Sequence, residues 1–263
     1  MNTKIKKLLE EKRVDGFFAY KTVNGFPFPA IFTKENMNEL EPWKPSHARY
    51  PILKMLLAQA RQEPDKTFGI LLRGCEERGL EELFKWNQLR REKVVTLGQA
   101  CTKELSEECE CKKPYPDSLD YGESVMPVKE SNKVKALEQM ALDTRLSWWL
   151  GHLNRCLKCY GCRDVCPVCF CTECSLENQT LVQAEKLPPD TTFHLVRAVH
   201  MAGRCVDCGM CEMVCPARIP LRSLYKKVNA LVEEIFNYTP GAKDIPSPFS
   251  FLGEEMALPA GPR

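Results

Sequence analysis

One spacing of cysteines is written twice in this chain and constrains it more than any other feature. Cys156, Cys159, Cys162 and Cys166 run into Pro167, and Cys205, Cys208, Cys211 and Cys215 run into Pro216, so C-x2-C-x2-C-x3-C-P recurs. Three thiolates so closely spaced can wrap one face of an iron-sulfur cube, while the fourth, turned away by the proline, reaches a second cube. The doubled pattern therefore predicts two 4Fe-4S clusters with exchanged fourth ligands. One set is Cys156, Cys159, Cys162 and Cys215; the other is Cys205, Cys208, Cys211 and Cys166. Structural zinc needs only two C-x2-C knuckles, so a zinc-stapled adaptor leaves the rest of each motif unexplained.

Eight of the fifteen cysteines are then used. The remainder are Cys75, Cys101, Cys109, Cys111, Cys169, Cys171 and Cys174. Four of these could form a third iron-sulfur or zinc site joining two domains; the alternative is free buried thiols acting as small hydrophobes. Disulfide frameworks belong mostly to small secreted domains, and the start of the chain carries no signal-type apolar region, so a cytoplasmic, reduced-thiol protein is expected. A formal charge of +2, from 37 basic against 35 acidic residues, argues for neither a nucleic-acid groove nor an anionic membrane surface. No apolar run is long enough for a membrane span.

The hydrophobic pattern divides the chain. Residues 1–112 read as an α/β domain with a small, mostly parallel sheet. Strands are expected at 14–20 and 29–33, joined at Asn24-Gly25, then at 67–72 and 93–97, with helices at 52–62 and 76–90 between them. In such sheets ligands gather at the carboxyl edge, which places Cys75 and Cys101 near one another. Prolines and the acidic residues around Cys109 and Cys111 suggest a surface linker from 104 to 133, whose boundary segment is 113–132. Residues 133–238 read as an α-helical dicluster ferredoxin domain, with helices at 133–154, at 192–202 and after Pro220. A proline-rich extended tail is expected from 239 to 263.

Other residues carry weaker signals. His194 and His200 could ligate or move protons, but each reads first as a structural histidine. Trp148 and Trp149 are expected to pack a cluster shell, and Lys4, Lys6 and Lys7 to form a solvated helix face.

Arg73-Gly74-Cys75 after a strand, the strand ending at Gly98-Gln99-Ala100-Cys101, and Cys109 and Cys111 near prolines resemble the N-terminal domain of the deazaflavin-coenzyme hydrogenase/dehydrogenase beta-subunit family. The helix from Thr192 to Met201 leading into Cys205, with Ile219-Pro220-Leu221 beyond, is similar to bacterial dicluster members of that family. The resemblance spans most of residues 14–240, although one helix and a tail follow the second motif where the archaeal enzyme subunits have a further large domain. It implies an electron-transfer subunit found with formate dehydrogenase, hydrogenase or heterodisulfide-reductase-like complexes. Its partners would be a catalytic oxidoreductase subunit and a second redox protein. A flavin-containing reductase, with its site at the sheet edge by Arg73, Gly74 and Cys75, is the alternative; the chain has no G-x-G-x-x-G or Walker loop to support a nucleotide. No candidate nucleophile or acid/base group stands out.

Overall fold

The computed structural model describes residues 2–249, and the chain divides into two compact units, Met1–Lys129 and a second beginning at Glu130. The first unit opens with helix α1 (Asn2–Glu10), whose Ile5 and Leu9 are buried. Strands β1 (Gly16–Val23) and β2 (Phe26–Phe32) pair antiparallel across Asn24 and Gly25, whose φ angles are 52° and 81°. Two consecutive left-handed residues give the turn whose twist matches a two-residue hairpin, hence Asn-Gly.

Helix α2 (Ile52–Gln62), one residue after Pro51, leads to β3 (Phe68–Leu72), and α3 (Gly74–Lys85) leads to β4 (Val94–Gly98). The sheet order is β2-β1-β3-β4, with β1/β3 and β3/β4 parallel. The sheet is thus mixed, two of its three pairings being parallel. Every residue of β3 is buried, as a central parallel strand requires. One core cluster joins Ile5 and Leu9 of α1 to Val14, Phe17, Leu71 and Leu97.

The stretch expected to be a surface linker instead packs on the sheet. Helix α4 (Lys103–Cys109) is capped by Thr102, whose hydroxyl accepts from Leu105 N at 3.2 Å. Beyond it, Cys111, Pro114 and Pro116 are buried. Cys101 N donates to Pro114 O (2.9 Å), Ala100 N to Tyr121 O (2.9 Å), and Asp120 N and Tyr121 N both donate to Gly98 O (2.9 and 3.0 Å). Prolines lack the N–H that a ladder needs, but their carbonyls still accept, so a proline-rich strip can follow a strand end.

Among the described residues the second unit contains helices and no strand. The helix expected at 133–154 is two, α5 (Asn132–Glu138) and α6 (Leu142–Leu153), because Ala141 takes an extended backbone between them. One-turn helix α7 (Gly161–Asp164), α8 (Thr191–Met201), one-turn α9 (Met210–Met213) and α10 (Leu221–Phe236) complete it. The tail, described as far as residue 249, is not a free arm. Tyr238 and Ser247 are each 1% exposed, and the Phe249 ring packs on Phe236 at 5.1 Å. The remainder of the expected tail, 250–263, lies outside the described residues.

Candidate metal centre

Both cysteine motifs fold alike. Lys158 (φ 50°) and Tyr160 (φ 58°) are left-handed in the first, and Asp207 (φ 53°) and Gly209 (φ 72°) at the matching positions of the second. Two positive-φ residues per loop curl the backbone so that its three thiols face one side. Each loop then enters a one-turn helix, α7 or α9, and these two short helices pack together. Each fourth cysteine is thereby carried across to the other loop.

The result is two cavities. The first is lined by Cys156, Cys159, Cys162 and Cys215, with Tyr160, Phe193, His194, Ile219 and Leu221 around them. Around the second stand Cys166, Cys205, Cys208 and Cys211, with Arg197, Met201, Asp207, Arg222 and Tyr225. Thiols spread around a volume suit a cube, whereas zinc needs its sulfurs about 2.3 Å from one point. Among the described residues no three His, Cys, Asp or Glu side chains are grouped to hold a single ion.

Electrostatics and hydrogen bonding fit anionic sulfur in these cavities. Burial pushes the Cys208 thiol up to about 12 and raises Cys156, Cys162, Cys205 and Cys211, because an uncompensated thiolate is poorly solvated there. A bound metal deprotonates a coordinating thiol outright and removes that cost. Backbone donors already point at sulfur: Lys158 N at 3.3 Å from Cys156 Sγ and Ile219 N at 3.5 Å from Cys215 Sγ. Nε2 of His194, a residue of the first cavity's wall, and Nε of Arg197, in the second, are buried without partners. Such orphans are what a site shaped for a further acceptor leaves behind. The residues present fit two cubes.

The other candidates separate. Burial, opposed by Arg73, pushes the Cys101 thiol up to about 12; Cys111 and Cys109 are among its electrostatic neighbours. Cys109 Sγ accepts from Arg49 Nη1 at 3.3 Å, and Cys111 is buried. Arg73 is in electrostatic reach of both Cys101 and Cys75. In the second unit Cys169 sits by Arg197 (3.7 Å), Cys171 by Arg204 (3.9 Å) and Cys174 by Arg163. Each thiol of that trio thus faces a different arginine.

The carboxyl edge of the sheet is roofed. Arg73 donates to Ala48 O (2.8 Å) and Ser46 O (2.9 Å), Trp43 Nε1 to Gln99 Oε1 (2.9 Å), and an added Cβ on Gly74 would lie 2.3 Å from Lys113 O. His194 is buried and held neutral, its pKa lowered to about 4 by burial and then by Arg197. His200 is exposed. Trp148 and Trp149 stack edge-to-face at 4.9 Å, and neither lines either of the two thiol cavities, so their walls draw on α8 and α10 instead. Sequence reasoning missed Arg197 and the Asp207–Arg222–Lys226 cluster, in which Asp207 accepts from Arg222 Nε (2.6 Å) and Lys226 Nζ (2.7 Å).

Residues 155–220, which span both motifs, match the family described as the 4Fe-4S dicluster domain. Longer stretches of the chain are similar to beta subunits of formate dehydrogenases. It is 42% identical over 97 residues to the F420-dependent formate dehydrogenase subunit beta of Methanocaldococcus jannaschii, covering 36% of this chain and 26% of that one. With the F420-dependent formate dehydrogenase 1 subunit beta of Methanococcus maripaludis it shares 38% identity over 138 residues, 51% of this chain and 35% of that one. The matches thus span about a quarter to a third of the length of these archaeal relatives.

Proposed function

We propose that the chain is an electron-transfer subunit. Its two 4Fe-4S clusters, one on Cys156, Cys159, Cys162 and Cys215 and the other on Cys205, Cys208, Cys211 and Cys166, relay single electrons. The partners are a catalytic oxidoreductase subunit, formate dehydrogenase- or hydrogenase-like, and a second redox protein in a reducing, cytoplasmic setting. One observation carries this reading: each cavity is walled by the four thiols of one exchanged set and by none of the other. The names of the relatives support the catalytic partner.

When bound, each cluster supplies a one-electron couple whose potential the surroundings set. The chain's own residues do the rest. Amide donors from Lys158 and Ile219 stabilise negative charge on sulfur. Phe193, Ile219 and Leu221, and on the other side Met201, Val206 and Tyr225, are all buried and exclude water. Cys159 is exposed, which brings the first set within reach of a docked partner.

Anaerobically purified protein is expected to carry about eight irons and about eight acid-labile sulfides per chain. After dithionite it should give interacting 4Fe-4S signals in electron paramagnetic resonance. Protein with one zinc per motif and no iron would establish the adaptor reading instead. Iron well above eight, or zinc beside full iron, would identify a third site among Cys75, Cys101, Cys109, Cys111, Cys169, Cys171 and Cys174. A retained flavin absorbance band would favour the reductase alternative at the Arg73 edge.

A further inference from the structure

Arg197 is only 4% exposed on α8. A buried guanidinium is costly unless a counter-charge faces it. Arg222 of α10 has such a charge, bonding Asp207 at 2.6 Å. Arg197 makes no ion pair with a carboxylate among the described residues. Its Nη2 donates to Cys162 O at 2.8 Å, its Nη1 reaches Cys169 Sγ at 3.7 Å, and its Nε has no partner. The groups that act on it electrostatically are Tyr225, Cys166, Cys162 and Cys169. The groups in these contacts are sulfur, a carbonyl and a phenol.

Its position joins the two thiol sets. The side chain lines the cavity of Cys166, Cys205, Cys208 and Cys211, yet its Nη2 is anchored on the carbonyl of Cys162, a member of the other set.

We propose that Arg197 is a positioning residue that serves as the shared counter-charge of both clusters and raises the reduction potential of each. The inference rests on the two-cluster reading above. Reduction adds one electron to a site and makes or breaks no bond in the chain. A fixed positive charge in a poorly screened interior favours the more negative state. The same charge offsets the anionic sulfur before reduction, which explains why the chain tolerates an unpaired guanidinium here.

The test is an anaerobic redox titration of the full chain followed by electron paramagnetic resonance, with iron counted in every sample. Arg197→Gln keeps amide donors and removes the charge. It is expected to lower both midpoints, the larger shift being at least a tenfold change in the reduction equilibrium, about 59 mV for one electron. Arg197→Lys should hold both within that factor. Full iron with unmoved midpoints in Arg197→Gln overturns the proposal. Should Arg197→Gln lose iron, Arg197→Lys decides: midpoints within tenfold of wild type support the charge role. A larger fall, or loss of iron there too, overturns it. Wild-type protein with fewer than two clusters' iron refutes the two-cluster reading itself, and this inference with it.

Discussion

Removing Cys156 and Cys159 together, as the double alanine variant, is expected to halve the iron from about eight to about four per chain. The next substitution then reports how the sets are shared. If the fourth ligands are exchanged, adding Cys215→Ala to this background changes neither the remaining iron nor the remaining spectrum, because the cluster Cys215 would serve is already gone. Adding Cys166→Ala strikes the surviving cluster, which should lose iron or change its signal. Ligands kept within their own motifs would give the reverse pair of results. The expectation rests on the lining of the two cavities, where Cys215 stands with the first motif and Cys166 with the second. It also rests on a mechanical cause: α7 and α9 pack together, and each is followed within a few residues by its Cys-Pro pair.

The grouping of thiols around the two cavities was legible because thiol spacing is a local property and limits which face of a cube a loop can wrap. The hairpin at Asn24-Gly25 was legible for a similar reason, since a positive φ is demanded at both turn residues. Arg197 was not singled out, although a signal existed. Phe193, His194, Ala198 and Met201 occupy the buried face of α8, and residue 197 falls on that same face. A cation at a buried helical position calls for a counter-charge, and the neighbouring sequence offers cysteines. The stretch from 104 to 128 misled for a different reason. Acidic residues and prolines describe a segment's own preferences, whereas its place was decided by where the backbone groups of Gly98, Ala100 and Cys101 find partners. Gly98 at the end of β4, like Gly74 after β3, hinted at a close backbone approach.

Gly98 accordingly carries the second large expectation: Gly98→Ala should destabilise the first unit by about 3–5 kcal/mol. A Cβ there would lie 1.8 Å from Ser118 O and 2.5 Å from Pro116 Cγ, and the first of these is backbone that cannot rotate aside. Forcing atoms into packed space typically costs about 1–3 kcal/mol. Moving the strip also strains three hydrogen bonds, Gly98 N to Asp120 Oδ2 (2.8 Å) and Asp120 N and Tyr121 N to Gly98 O (2.9 and 3.0 Å). Each is worth about 1 kcal/mol net. Hydrogen exchange should show faster exchange at Gln99, Ala100, Asp120 and Tyr121, and urea unfolding a lower midpoint, while iron per chain stays the same. Gly151→Ala is the control. It lies inside α6 with nothing within 4 Å of the added Cβ, so it should be neutral or stabilising by up to about 1 kcal/mol. A Gly98→Ala protein as stable as wild type would mean that residues 113–121 are a loose connection after all. The roof over Arg73 and Cys101 would then be open, and the sheet edge would regain its standing as a place for a ligand.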